Sequence, residues 1–191
     1  IALVMLSVGC TKESLNTKAI AANNTSENIA SVHFVGEHYG GGVVFAIDAT
    51  GTHGIIADLT DLGLYTWRPD NIITITGANK EGYGAGKSNT IAIIKSHSAI
   101  DPDSSYAAFA CGSLIKEGFS DWYLPSKKEL RTMYSKRRYI GNFATDYPYW
   151  SSTETTGNSA DYAAWGFSFL YGTEDTFTKY TVLRVRAVRY F

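Results

Sequence analysis

Cysteine is close to absent. Cys10 and Cys111 are the only two in 191 residues, so no disulfide framework is available and the fold must hold by its core. No charge of one sign dominates either. Lys and Arg number 17 against 18 Asp and Glu, a formal net charge of -1, which gives no global attraction to nucleic acid. The apolar opening, IALVMLSVG, falls far short of the ~20 residues that cross a bilayer. Metal motifs are missing: His33, His38, His53 and His97 show no H-E-x-x-H spacing, and there is no cysteine cluster, so no metal is expected. There is no G-x-S-x-G elbow, and no Ser, His and Asp arrangement singles out a nucleophile. Cys111 stands alone in the apolar stretch 106–114 and reads as a buried, inert thiol. The segment EGYGAGKS, residues 81–88, resembles a phosphate loop but carries Glu81 where that loop needs glycine. A carboxylate there repels phosphate. Neither an enzyme nor a cofactor is expected.

What is present begins at the first residues. IALVMLSVGC runs directly into the polar TKES, the pattern of a lipoprotein signal peptide truncated at its charged start. Residues 1–10 are then a leader ending at an acylated Cys10. Residues 11–33 are polar and small with no period, and read as a flexible tether. Residues 34–191 form one domain, long enough to bury a sizeable core. The chain is expected outside the cytoplasm, lipid-anchored in the cell envelope at the outer membrane or the cell surface. Its only membrane contact would be the anchor.

Periodicity outlines the domain. Residues 42–57 read as a β-hairpin turning at Ala49-Thr50-Gly51. A helix fits 89–98, and a second runs from Asp101-Pro102-Asp103-Ser104 toward Gly118. Ser126-Lys127-Lys128-Glu129 is a capping box that opens a third helix, to about residue 137, with Leu130, Met133 and Tyr134 inward. Strands fit 149–152, 163–170 and 180–189. Thr173-Glu174-Asp175 reads as an acidic turn. Strands near both ends can pair and bring the termini of the domain together.

Five segments occur in a specific order: GGVVFAIDATGTHGIIA, GFSDWYLPSKKELRTMY, YWSSTE, AWGFSF and VRAVRYF. In that order they resemble the Lcl C-terminal domain family, named for the collagen-like adhesin of Legionella. The resemblance implies an α+β fold of C-type-lectin-like form. Its features are a twisted antiparallel sheet, two or three helices and long irregular loops. It also implies an exported module that binds extracellular or surface polysaccharide, with sulfated or acidic polymers as the class. The paired calcium motifs of C-type lectins, Glu-Pro-Asn with Trp-Asn-Asp, are not in the sequence. Within the shared segments Trp122, Trp150 and Trp165 read as core aromatics. Asp121, Glu154, Arg186 and Arg189 read as embedded charges, with an acid pairing an arginine to tie loop to sheet.

The candidate binding surface is KKELRTMYSKRR. Lys127, Lys128, Arg131, Lys136, Arg137 and Arg138 accompany one acid, and Lys127, Arg131 and Arg138 fall near one helical stripe. Such a local positive field can hold a polyanion. Tyr65, Trp67 and Tyr171, in irregular loops, are candidates for stacking on sugar rings. The expected partner is polysaccharide or a cell-surface protein. The rival reading is a structural or protein-binding module of an envelope complex.

Overall fold

The structure, a computed structural model, describes residues 31–69, 73–103 and 105–191. The leader, the acylation expected at Cys10 and residues 11–30 of the tether lie outside the described residues.

The hairpin forms from β2 (Gly42–Ile47) and β3 (Gly54–Ala57). Its turn is set by Asp48, whose Oδ1 accepts from the Thr50 N–H at 3.0 Å and the Thr50 hydroxyl at 2.7 Å. A short β1 (His38–Tyr39) joins one edge. The last strand, β9 (Val188–Tyr190), joins the other, giving the order β1-β2-β3-β9. The two ends of the domain therefore meet in one sheet. Val43, Val44 and Phe45 are all fully buried because both faces of this sheet are covered, which explains an apolar run without alternation. Val44 and Ile56 join a core with Trp67, Ile93, Trp122 and Trp150. Val43, Phe45 and Ile55 join a second with Leu130, Met133, Tyr149 and Phe167.

The other sheet contains β4 (Gly63–Tyr65), β5 (Tyr149–Glu154), β6 (Ala163–Ser168), β7 (Thr173–Thr178) and β8 (Leu183–Val185). Their order is β4-β8-β5-β6-β7, with β5 and β8 parallel. The class is α+β. The single antiparallel sheet anticipated is divided in two. Residues 180–189 are not one strand: β8 and β9 belong to different sheets, and the chain crosses between them at Arg186-Ala187. The expected acidic turn at 173–175 is the start of β7, an edge strand paired with β6 along its whole length. Its Thr and acidic residues are half in water, so no apolar alternation announces it.

Four α-helices among the described residues complete the fold: α1 (Ala85–Ser98), α2 (Ala107–Gly112), α3 (Lys127–Ser135) and α4 (Arg137–Ile140). The second is shorter than anticipated, leaving Ile115 in solvent. The capping box forms as read. The Ser126 N–H donates to Glu129 Oε2 at 2.7 Å, and the Glu129 N–H donates to the Ser126 hydroxyl at 3.3 Å. Glu129 does more. Its other oxygen accepts from the Gly84 N–H at 2.7 Å, at the start of α1. The loop that resembles a phosphate cradle thus already holds an anion, the protein's own carboxylate, at a helix N-terminus. Gly84 takes φ +75 there, and a Cβ at Gly86 would collide with Glu129 and the Leu124 carbonyl. Burial raises the Glu129 pKa, opposed by the bonds from Ser126 and Gly84.

Candidate binding cleft

Three charge clusters among the described residues fix loops to the sheets, two of them enclosed and the third open at its acid. Lys179 Nζ donates to Glu154 Oε1 at 2.5 Å and to the carbonyls of Ala160 and Thr74 at 2.6 and 3.1 Å. Glu154 also accepts from the N–H groups of Thr76 and Gly77 at 2.9 and 3.0 Å. Arg186, fully buried, donates to Asp61 at 2.6 Å and to the carbonyls of Asp58 and Asn142 at 3.1 and 2.7 Å. Arg189 donates to Asp121 at 2.7 Å and lies over the Phe119 ring. These bonds satisfy charges that would otherwise be costly to enclose. The acid–arginine pair anticipated within the shared segments is Asp121–Arg189. Glu154 goes instead to Lys179, a residue that the sequence did not single out.

On this frame a cleft of about 350 Å³ opens between the hairpin and α3. Phe45 and Ile55 form its buried floor. Tyr83, 52% exposed, and Tyr190, 45% exposed, form aromatic walls. Thr132, Lys136 and Asp48 supply polar groups. The walls are braced: the Tyr83 hydroxyl is 2.8 Å from Thr132 Oγ1, and His53 stacks on Tyr190 with ring centroids 6.4 Å apart. Lys128 Nζ lies 4.7 Å from the centroid of the Tyr83 ring. Asp48, held by the Thr50 hydroxyl, titrates below the usual carboxylate range. Lys136 enters no ion pair among the described residues, so its charge is available at the cleft. An apolar floor, two tyrosines, a hydroxyl and a free ammonium suit a polar ring-shaped ligand. Among the described residues, no group of three or more His, Cys, Asp and Glu is placed to hold a metal ion. No helix among them is long and apolar enough to cross a membrane.

A family model for the Lcl C-terminal domain matches residues 66–189. The chain belongs to the Lcl C-terminal domain family. No curated protein matches it. The cleft straddles the limit of the family match. Tyr83, Thr132 and Lys136 lie within it, whereas the hairpin residues Phe45 to Ile55 precede it and Tyr190 follows it.

The six cations of the basic segment are not one free stripe. Arg131 makes a two-pronged bond to Glu174, 2.7 Å from each oxygen. Lys127 lies 3.4 Å from Glu81 and 3.5 Å from the Trp165 ring centroid. The helix breaks at Lys136, so Arg138 on α4 does not continue the line of Lys127 and Arg131. Arg137 rests on the Tyr134 ring, 4.1 Å from its centroid. Arg137 and Arg138 are exposed. Of the six, Lys136 lines the cleft, and Lys128 lies beside it over the ring of Tyr83.

The stacking candidates separate. Trp67 is 0% exposed and its indole N–H donates to the Ser151 carbonyl at 2.9 Å, so it is a core residue and not a sugar platform. The irregularity of its loop concealed that burial. Tyr65 is half-buried against the core beside it. Tyr171 is open to solvent. Trp122 and Trp150 are buried, but Trp165 is half-buried beneath Lys127. Cys111 is buried, and burial pushes its thiol pKa up. Sequence reasoning missed Tyr83 and Tyr190 as cleft walls. An exposed tyrosine beside glycines was the signal at Tyr83; nothing in the sequence marked Tyr190.

Proposed function

We propose that this Lcl-family domain binds acidic polysaccharide in the cleft between the hairpin and α3. It would do so as the recognition module of an exported lipoprotein, anchored through Cys10 at the cell surface. The observation that carries the reading is the Lys136 ammonium, without an ion-pair partner among the described residues, lining an aromatic trough walled by Tyr83 and Tyr190. Tyrosine faces accept the C–H side of a sugar ring, and the ammonium attracts sulfate or carboxylate. Lys128, held over Tyr83, extends the positive field along the same wall. The sequence motif at Cys10 and the family membership support the exported, C-type-lectin-like part of the reading.

The test is binding of a heparin-like polymer by titration at two ionic strengths. Charge reversal at both Lys128 and Lys136 weakens it about tenfold, and salt weakens it for the wild type. Affinity unchanged by the double reversal and by salt removes this cleft as the site.

A further inference from the structure

A second cleft, of about 320 Å³, lies on the other side of β7 from α3. Successive side chains of a strand point to opposite faces. Glu174 points to α3 and is neutralised by Arg131. Thr173, Asp175 and Phe177 point the other way and line the cleft. Tyr147 and Tyr171 flank it, the latter 76% exposed. The first cleft is lined by one ammonium, Lys136, and one carboxylate, Asp48, whereas the charged residues lining this one are both carboxylates. Asp146 at its rim gives both oxygens to Arg184, each at 2.6 Å. Those bonds bring the Asp146 pKa down to about 2. Asp175 accepts only from the neighbouring Thr176 N–H, at 2.7 Å, and enters no ion pair among the described residues. The one uncompensated charge is therefore a carboxylate. The hydroxyls of Thr145 and Thr173 make no hydrogen bond among the described residues, and the Ser168 hydroxyl accepts one from the Tyr171 N–H at 3.3 Å.

We infer that this cleft binds a saccharide bearing a free, protonated amine. The ammonium is held by Asp175, the ring face by Tyr171 or Tyr147, and the ring hydroxyls by Thr145, Thr173 and Ser168. An ammonium on a carboxylate is a charge-assisted bond, and a cation beside a tyrosine gains from its π face. The unbonded hydroxyls favour a sugar over a lysine tip, which would use only the carboxylate and a ring. The volume lies within the range of small-molecule sites, about 300–1,000 Å³. All the residues named fall inside the family match, unlike those of the first cleft.

The experiment titrates the full chain with a tetramer of glucosamine and with its fully N-acetylated counterpart. The glucosamine tetramer is expected to bind, and N-acetylation or Asp175→Asn to weaken binding about tenfold or more, as loss of a charge-assisted bond requires. Asp175 is exposed, so its substitution leaves the fold intact, checked by circular dichroism. Tyr171→Ala weakens binding further, while Lys136→Glu leaves it unchanged, which separates this site from the first cleft. Equal affinity for both tetramers, no effect of Asp175→Asn, or no binding by the wild type overturns the assignment. So does selective binding of a lysine-rich peptide that Asp175→Asn abolishes, which would give the cleft to a protein partner.

Discussion

Lys179 and Arg131 each hold a glutamate at hydrogen-bond distance, yet their surroundings differ completely. The Lys179–Glu154 pair is enclosed, with side chains 0% and 1% exposed. In the Arg131–Glu174 pair the arginine is 59% exposed and the glutamate 18%. The enclosed pair has no water to fall back on. Its members are bonded by four further backbone groups from two separate segments, residues 74–77 and Ala160, so the pair positions loops. The surface pair is screened, and holding it together contributes little to stability. Its effect is on the field beside the cleft, because it occupies cations that could otherwise meet a polyanion.

The largest expected effect comes from breaking the enclosed pair. Glu154→Ala leaves a buried ammonium and the N–H groups of Thr76 and Gly77 without their acceptor. The expected cost is about 3–5 kcal/mol in urea unfolding. A loss below about 1 kcal/mol, the scale of a surface pair, would mean that the enclosed and exposed pairs do not differ as argued. Replacing both members with apolar residues, Glu154→Leu with Lys179→Met, should recover part of the loss.

A smaller effect tests whether the same interior accepts a second, unbonded cation. His97 is fully buried, neither ring nitrogen has a hydrogen-bond partner among the described residues, and its ring packs edge-on against Trp67 and Tyr106. Burial, with the nearby Lys179 and Arg68 charges, lowers its pKa from 6.5 to about 4. The folded value lies below the unfolded one, so the unfolded chain binds the proton first. The stabilisation is complete above pH 6.5 and is lost as pH falls from there toward 4. Urea midpoints at pH 7 and pH 5 should differ in the wild type and differ less in His97→Leu, since the carboxylates titrate mainly at lower pH. An undiminished difference in the variant would place the pH dependence elsewhere.

The smallest effect on stability belongs to the surface pair. Glu174→Gln should change unfolding by less than about 1 kcal/mol. It should, however, strengthen binding of a heparin-like polymer and steepen its salt dependence, because Arg131 loses its acid and Lys127, which keeps Glu81, loses the more distant of its two. Weaker binding in this variant would show that the pair presents Arg131 to ligand instead of occupying it.

Local signals in the sequence were read where the chemistry is local. The capping box needs only Ser126 and Glu129 three residues apart, and it forms. The hairpin was visible from a dense apolar run either side of Ala49-Thr50-Gly51, and it forms too. β7 was not legible, because an edge strand half in water has no need of apolar alternation. Nor was the burial of Trp67, whose loop carries no period, though the other face of the core closes over it. The basic segment was legible as composition. Its division into occupied and available cations was not, because Glu174 lies more than forty residues away in the sequence from its partner Arg131.

By itself, then, the sequence determined the family, the mixed α and β content, the start of α3 at its capping box and the candidate cations. Those follow from neighbouring residues and their order. Only the tertiary structure decided which charges are enclosed, which are left to meet a ligand, and which residues meet in each of the two clefts. A charge's availability depends on what folds against it, and its partners here come from distant segments that only the packed sheets bring within bonding distance.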